Sequence, residues 1–330
     1  MPETTTGVAF TPFETRVDTI VRLTRQAEDL GLDRVQVAEA WTHDATIVLA
    51  EIAAQTSRIG LGTGVLSVWG RTPASLALAA AGLQRASGGR FSLGLGAGSA
   101  PLTEGLHGLR WERPISRLRD TVTGVRTLLA GERLPHPAPG ARPLRLGALP
   151  EVRVPIALAA LSEESIRVAG ELADEWGPFL WARSRLTEGR ALLDEGEARD
   201  ELSTRTRIAA AVPVALGPDT ATARRMAAWW LSTYATRMGP LYPRLLRHFS
   251  GPETVEALRT ATDALPATAE ALAREVTLFG TYDEAPELIT AWMTAGADSV
   301  QFVLPPGRPE EELAALVEVG AATVRVASPG

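Results

Sequence analysis

Short apolar segments alternate along the chain with longer segments of helical period, which is the pattern of repeated βα units. Eight segments rich in Val, Ile, Leu, Ala and Gly are predicted as strands: 7–10, 34–39, 59–66, 91–98, 155–161, 176–180, 207–216 and 299–304. Amphipathic segments predict the helices that follow them: 14–30, 44–56, 73–85, 114–129, 163–173, 186–196, 284–295 and 310–324. Eight strands, each followed by helical sequence, predict a (β/α)8 TIM barrel.

Two segments interrupt this alternation. Residues 131–153 are rich in Pro, Arg and Gly and predict a surface excursion with a small hairpin. Residues from about 230 to 278 predict a helical insertion. We therefore expect residues 1–330 to form a single barrel domain with these two excursions. A doubly wound open sheet is the main alternative, but such a sheet usually has fewer strands and opens on a glycine-rich fingerprint, which the first strand here lacks.

The composition excludes several chemistries. The chain has 330 residues, of which 45% are hydrophobic and 22% charged, and it contains no Cys, no Lys and no Asn, so all 33 basic residues are Arg. Schiff-base catalysis, lysine-anchored pyridoxal phosphate, a P-loop lysine, thiolate metal sites and disulfides are therefore excluded. Four scattered His residues predict no metal site. The reactivity must then come from a bound cofactor.

Charge and hydropathy limit the partners. A net charge of −6 without a basic patch argues against nucleic acid and anionic membranes as partners. No apolar run reaches about 18 residues, and the N-terminal MPETTTG has neither a positive nor an apolar leader region. We expect a cytoplasmic protein that acts on a small-molecule substrate.

The ends of the predicted strands hold the candidate chemistry, because barrel active sites lie at the carboxyl ends of the strands. Glu39 and Trp41 follow the second strand, where a carboxylate could orient a cofactor or exchange protons, or could simply pair with an Arg. Glycines alternate through the third strand up to Gly64, which indicates close approach by a ligand or tight packing.

The fourth strand ends in a GAGS sequence that could expose backbone amides to a phosphate or cofactor chain, and His107 follows it in a loop. A structural role for His107 is the alternative. The Trp residues at 41, 69, 176 and 181 lie near strand ends and predict an aromatic wall, whereas those at 229, 230 and 292 fall in helical sequence and predict core or an oligomer surface.

Three sequence segments carry a resemblance to a known family: TSRIGLGTGV, RTPASLALAAAGLQRASGGRFSLGLGAGS and EGLHGLRWERPISRLRD. They resemble the luciferase-like monooxygenase superfamily, and they are most similar to its branch that uses the deazaflavin coenzyme F420 and includes methylenetetrahydromethanopterin reductase. The resemblance implies a (β/α)8 barrel that binds a deazaflavin or FMN ring at the mouth formed by the strands' carboxyl ends.

The resemblance also implies roles for individual residues. It places an acidic contact at Glu39 and a non-proline cis peptide, behind the cofactor ring, at Gly64–Val65. The residues expected to bind the cofactor are Glu39, Thr63, Gly64, Val65, Gly96, Ala97, Gly98, Ser99, Ala159 and Ala160. The residues expected to be catalytic are Glu39, Trp41 and His107. The chain departs from the family pattern at ADEW (173–176) and at WGRT (69–72).

The function implied is an F420-dependent oxidoreductase that transfers hydride between the deazaflavin and a C=C, C=N or C=O bond of a small organic substrate. An FMN-dependent monooxygenase is the alternative of the same class. A barrel that has lost its cofactor and binds a metabolite without redox chemistry is the alternative of another class. A homodimer is expected.

Overall fold

The computed structural model describes residues 5–135, 139–199, 205–261 and 264–327. The strands are β1 (Thr5–Phe10), β2 (Arg34–Val37), β3 (Gly60–Thr63), β4 (Leu66–Ser67), β5 (Phe91–Gly96), β6 (Ile156–Ala159), β7 (Glu175–Trp176), β8 (Arg207–Gly217), β9 (Leu278–Thr281) and β10 (Ser299–Leu304). They pair in parallel, and neighbours in the chain are neighbours in the sheet from β1 to β3 and from β5 to β9.

Strand β10 closes the sheet into a barrel. Its residues pair with β1 on one side, where Thr5 lies opposite Ser299, and with β8 on the other, where Ser299 lies opposite Ala209. The closed ring therefore consists of β1, β2, β3, β5, β6, β7, β8 and β10, which confirms the predicted (β/α)8 barrel. Strand β4 pairs with β5, and β9 pairs with the carboxyl-terminal half of β8.

Helices surround the ring, and several begin at side-chain caps that the sequence supplies. The helices are α1 (Val17–Asp29), α2 (Ala45–Gln55), α3 (Pro73–Ala86), α4 (Ala100–Gly105), α5 (Pro114–Leu129), α6 (Glu163–Leu172), α7 (Leu186–Glu197), α8 (Thr220–Thr236), α9 (Leu241–Ser250), α10 (Pro252–Thr260), α11 (Glu270–Val276), α12 (Ala285–Thr294) and α13 (Glu310–Ala327). Asp44 caps α2 by accepting from the Thr46 amide, and Thr72 caps α3 by accepting from the Ser75 amide.

A buried ion pair lies at the amino-terminal end of the barrel. Arg34 is the first residue of β2 and Glu175 the first of β7, and their side chains form two hydrogen bonds, of 2.5 and 3.0 Å. A bidentate pair of this kind fixes both side chains. The pair thereby links β2 to β7 across the amino end of the barrel.

Most predicted elements are found, and five of the eight predicted strands are shorter than predicted. The predicted third strand is divided into β3 and β4 around a cis peptide bond between Gly64 and Val65, the bond that the family resemblance implies. Strands β6 and β7 end earlier than predicted, although Phe179 still bridges Ala211 of β8. The sequence prediction missed β9 and α4, which have only four and six residues.

The two interruptions differ in structure. Within 131–135 and 139–153 the structure has no strand, although the Leu134 amide donates to the Leu144 carbonyl across the turn; residues 136–138, including His136, lie outside the described residues. The hairpin prediction is therefore wrong for the described part. Residues 230–261 and 264–278 form the last seven residues of α8, then α9, α10 and α11. No described helix is long and apolar enough to cross a membrane.

Candidate active site

The mouth at the carboxyl end of the barrel has two chemically different halves. The small-residue half lies at the ends of β3, β5 and β6 and consists of Gly64, Val65, Ala97, Gly98, Ser99 and Ala159. The aromatic half comes from the segments after β1, β2 and β7 and from α8 and α9. It consists of Phe13, Trp41, Phe179, Trp229, Tyr234 and Tyr242.

Glu39 lies between these halves, two residues after β2. Its Oε2 accepts a hydrogen bond of 3.0 Å from the Ala45 amide and one of 2.8 Å from Arg71 Nη2. The same Arg71 nitrogen lies 2.9 Å from Asp44 Oδ1. Among the described residues, Glu39 Oε1 has no hydrogen-bond partner. One carboxylate oxygen is thus fixed in place and the other is available to a ligand.

Burial changes the acidity of this cluster. Burial raises the pKa of Glu39, and the Arg71 cation and the Ala45 amide oppose this increase without cancelling it. Asp44 is more exposed; burial acts to raise its pKa too, but hydrogen bonds from Thr46 and Arg71 outweigh burial and lower it. Glu39 therefore keeps its proton at a higher pH than Asp44 does, which suits proton exchange with a substrate.

His43 adds an unsatisfied polar atom to the same loop. Its Nε2 is buried and has no hydrogen-bond partner among the described residues. Burial lowers the pKa of His43, so the ring is neutral at pH 7. A buried polar atom without a partner is the kind of atom that the polar edge of a ligand would satisfy.

Thr63 and Gly94 fix the base of the small-residue half. The Thr63 hydroxyl donates to the Gly94 carbonyl and accepts from the Gly94 amide, both at 2.8 Å, and Thr63 is buried. A Cβ atom on Gly94 would lie only 1.9 Å from the Thr63 carbonyl oxygen. The Thr63 side chain is therefore engaged in joining β3 to β5, and its predicted cofactor contact stays a prediction.

Small residues continue this surface across the ends of the strands. Gly96 pairs with Ala159, and a Cβ atom on Gly96 would lie 2.8 Å from Val65 Cγ2. Gly64 is exposed, and Val65 and Ala159 are half-buried. Gly96 itself and Ala160 are buried, and the Ala160 carbonyl accepts from Trp176 Nε1 at 2.8 Å. The accessible part of the predicted cofactor set is therefore Gly64, Val65 and Ala159, together with residues 97–99.

Two indole rings hold the loop after β5. Trp69 Nε1 and Trp111 Nε1 both donate to the Ala97 carbonyl, at 2.8 and 3.2 Å. Gly98 follows with φ of 68°, a conformation that glycine adopts without strain. The Ser99 side chain forms no capping hydrogen bond with α4, so its hydroxyl is available to a ligand.

His107 lies against the segment that carries Arg71. A Cβ atom on Gly70 would lie 2.9 Å from His107 Cε1, so the imidazole packs directly on the Gly70 backbone. Gly70 precedes the arginine that pairs with Glu39. The structure thus places His107 beside the Glu39–Arg71 cluster through this backbone contact, and its catalytic role stays a prediction.

Ring contacts connect the aromatic half from end to end. Phe13 has its ring centroid 5.3 Å from Trp41, 5.8 Å from Trp229 and 6.5 Å from Tyr234. Tyr234 lies 4.8 Å from both Phe179 and Tyr242. Trp41 is half exposed and Trp229 is 37% exposed, so this is a partly open surface.

The predicted grouping of tryptophans is only partly correct. Trp41 belongs to the aromatic half, but Trp176 and Trp181 are buried in the core and Trp69 is bound to the Ala97 carbonyl. Trp229 was predicted as core or oligomer surface, whereas it contacts Phe13 at the mouth. Its neighbour Trp230 is fully buried and donates to the Val214 carbonyl.

The sequence prediction missed Arg71 and Gln36. A cation just before a helix is unfavourable next to the positive end of the helix dipole, so Arg71 directly before the α3 cap could have signalled an anionic partner. Gln36 lies on β2 beneath Gly64, whose added Cβ would be 3.0 Å from Gln36 Cβ. An amide between the two buried valines of β2 was the available signal.

Other features of the described residues do not compete with this mouth. They contain no group of three or more His, Asp or Glu that could hold a metal ion. A cavity of about 610 Å³ lies on the outside of α12, and one of about 230 Å³ lies between α9, α11 and the turn at Arg183–Arg185. Neither cavity includes a predicted site residue.

Comparisons with known proteins agree with the geometry. The luciferase-like monooxygenase family profile matches residues 3–299. A candidate coenzyme F420-dependent oxidoreductase of Mycobacterium tuberculosis is 30% identical over 89% of this chain and 93% of its own length. The 5,10-methylenetetrahydromethanopterin reductase of Methanolobus tindarius is 31% identical over 52% of each chain. An F420-dependent secondary alcohol dehydrogenase, solved with an F420-acetone adduct, superposes with a TM-score of 0.79 at 18% identity, covering 98% of this chain and 99% of its own.

Proposed function

The chain belongs to the luciferase-like monooxygenase family and is an oxidoreductase, and from that premise we propose that it uses coenzyme F420 to transfer hydride to or from a small organic substrate. The observation that carries the proposal is the mouth's small-residue half beside Glu39, where one carboxylate oxygen is fixed and the other is open. The Mycobacterium tuberculosis relative, whose name gives coenzyme F420 and whose alignment covers 89% of this chain, supports F420 over FMN.

The residues at the small-residue half fit a flat ring system. No side chain in this set is longer than valine, and all six members lie beyond the last residue of β3 or β5 or at the end of β6. Val65, Ala97 and Ala159 would contact the ring face, and Ser99 with the exposed Gly98 backbone would hold its substituents.

When bound in its reduced form, F420 supplies a hydride to the carbon of a C=O, C=N or C=C bond, and the other atom of that bond takes a proton. Glu39 is the residue that can deliver this proton, because burial raises the pKa of its carboxyl group and Oε1 is open. Arg71 and the Ala45 amide orient the carboxyl by binding Oε2. The remaining mouth residues position the two reactants and exclude water.

Titration of the purified full chain with F420 and with FMN, followed by absorbance and fluorescence, tests the cofactor. We expect F420 to bind with a dissociation constant in the micromolar range, about −8 kcal/mol, and FMN to bind at least about tenfold more weakly. Tight binding of FMN alone would replace the proposal with the flavin monooxygenase alternative. Binding of neither, with the far-ultraviolet spectrum of a folded barrel, would favour the non-redox alternative.

Glu39→Gln tests the proton role. We expect kcat to fall by about 100-fold, with the F420 affinity and the melting temperature little changed, because Gln keeps the shape and can still accept the Ala45 and Arg71 hydrogen bonds. The measurement is steady-state kinetics with reduced F420 across pH 5 to 9. Asp44→Asn, which changes the more exposed partner of Arg71, is the matched control. Equal turnover in the wild type and Glu39→Gln would remove Glu39 from the reaction.

A further inference from the structure

None of the six side chains of the aromatic half belongs to the proposed cofactor site. Its six rings come from five separate parts of the chain, yet each ring contacts at least one other in the set, and Phe13 contacts three. A wall assembled from so many elements, and left partly open at Trp41 and Trp229, has the composition of a ligand surface. Their neighbour Trp230 is fully buried, whereas Trp41 and Trp229 are partly exposed.

The chemistry of this wall selects for uncharged ligands. None of its six side chains carries a charge, and burial raises the pKa of both Tyr234 and Tyr242, so their hydroxyls stay protonated. No described residue forms a hydrogen bond with either hydroxyl. A neutral phenol of this kind can donate to an oxygen of a ligand while its ring packs on the ligand's apolar body.

The aromatic half contains no cation, and Arg71 beside it is already paired. Arg71 Nη2 contacts Glu39 and Asp44, and Arg183 contacts Glu275 at 3.3 Å. An anionic substrate at the aromatic half would lose its hydration without gaining a dedicated cation, and burying an unpaired charge is costly. A flat, uncharged molecule would instead bury apolar area on the rings.

We propose that the substrate of this enzyme is an uncharged, ring-bearing ketone or enone, which packs on Phe13, Trp41 and Trp229 with its reducible C=O or C=C bond towards Glu39. The proposal rests on the proposed function, since it places the substrate opposite the small-residue half. It differs from a site for a sugar phosphate or another anionic metabolite, which would require an unpaired basic side chain at the mouth.

Binding of prodan, an uncharged naphthyl ketone whose emission rises and shifts to shorter wavelength in apolar surroundings, tests the proposal on the full chain with F420 present. We expect saturable binding that Trp229→Ala and Trp41→Ala each weaken about tenfold, which corresponds to about 1.4 kcal/mol. Trp229→Phe keeps a ring and should stay within about twofold of the wild type. Ile47→Ala removes an apolar side chain that is 68% exposed on α2, outside the wall, and should change nothing.

Two further readouts decide between the outcomes. Glucose 6-phosphate, an anionic sugar phosphate, should not displace prodan at millimolar concentration, and displacement would overturn the proposal. Unchanged prodan affinity in both alanine variants would also overturn it, because the probe would then be bound elsewhere. F420 affinity is measured in every variant: it should stay at the wild-type value, so a protein that binds prodan at the wall but no F420 would refute the proposed function and leave the wall intact.

Discussion

The two halves of the barrel mouth form a ligand surface in opposite ways. The small-residue half makes room for a ligand by omitting side chains, so that backbone approaches backbone, as Gly94 does to the Thr63 carbonyl. The aromatic half makes a surface by adding side chains from loops and helices outside the ring. The first geometry is fixed by strand register, and the second by side-chain packing. We therefore expect the first half to tolerate no added atoms and the second to tolerate substitution at moderate cost.

The largest effect is expected for Gly94→Ala. The added Cβ would lie 1.9 Å from the Thr63 carbonyl oxygen, which belongs to a paired strand and cannot move alone. We expect a loss of at least about 3 kcal/mol in the free energy of unfolding, measured by urea denaturation, together with loss of F420 binding.

Gly82→Ala is the control for this change. Gly82 lies within α3, and a Cβ atom there meets no other atom within 4 Å. The substitution should stabilise the protein by about 0.5–1 kcal/mol, since alanine favours the helix. If Gly94→Ala proved as stable as Gly82→Ala, the small-residue half would not be constrained by backbone contact.

An intermediate effect is expected for Arg71→Leu, which removes the cation shared by the two halves at Glu39. Without Arg71 the pKa of Glu39 should rise further, so the fall in kcat that accompanies loss of the Glu39 proton should move to higher pH. Steady-state kinetics across pH 5 to 9 measure the shift.

The loss of stability in Arg71→Leu should also increase as the pH rises. A carboxyl group with a raised pKa holds its proton more tightly in the folded than in the unfolded chain, so its contribution is present below the unfolded pKa and is lost as pH rises through the folded pKa. Arg71→Leu should therefore lower the melting temperature more at pH 8 than at pH 5. Arg71→Lys keeps the charge and should stay near the wild-type profile; equal profiles for Leu and Lys would contradict an electrostatic role.

The smallest effect is expected for Phe13→Leu in the aromatic half. Leucine keeps an apolar side chain but removes the edge contacts with Trp41, Trp229 and Tyr234. We expect a loss of about 1 kcal/mol in unfolding free energy, with unchanged F420 affinity in the titration. A loss comparable to that of Gly94→Ala, or a weakened F420 affinity, would show that the two halves are not independent.

The eight strands of the closed ring could be predicted from the sequence because each of them lies in a distinct apolar segment. Strand β9 could not be predicted in this way, since Leu278–Thr281 has four residues and pairs only with the carboxyl half of β8. The unusual length of β8, eleven residues, was the available indication that it has more than two neighbours. The predicted third strand was too long because its apolar pattern continues through Gly64 and Val65, where the backbone interrupts the pairing.

The candidate site was predictable where the chemistry lies at a strand end, as for Glu39, Gly64 and Val65. It was not predictable where the site is assembled across the mouth. Phe13 and Trp229 are 216 positions apart, and only the closed barrel and α8 bring their rings together. Thr63 is a polar residue at a strand end that does not extend the site in the same way. Its hydroxyl donates to the Gly94 carbonyl and accepts from the Gly94 amide, and so joins two strands of the sheet.

Strand β10 pairs with both β1 and β8, so a growing chain lacks both of these pairings until β10 has been synthesised. Until Ser299–Leu304 has been synthesised, β1 and the amino half of β8 each present an edge of unpaired amide and carbonyl groups. Exposed parallel edges of this kind are templates for association between chains. A polypeptide that ends before this strand, through premature termination or proteolysis, would then accumulate in aggregates, so the completion of Ser299–Leu304 would determine how much protein stays in solution.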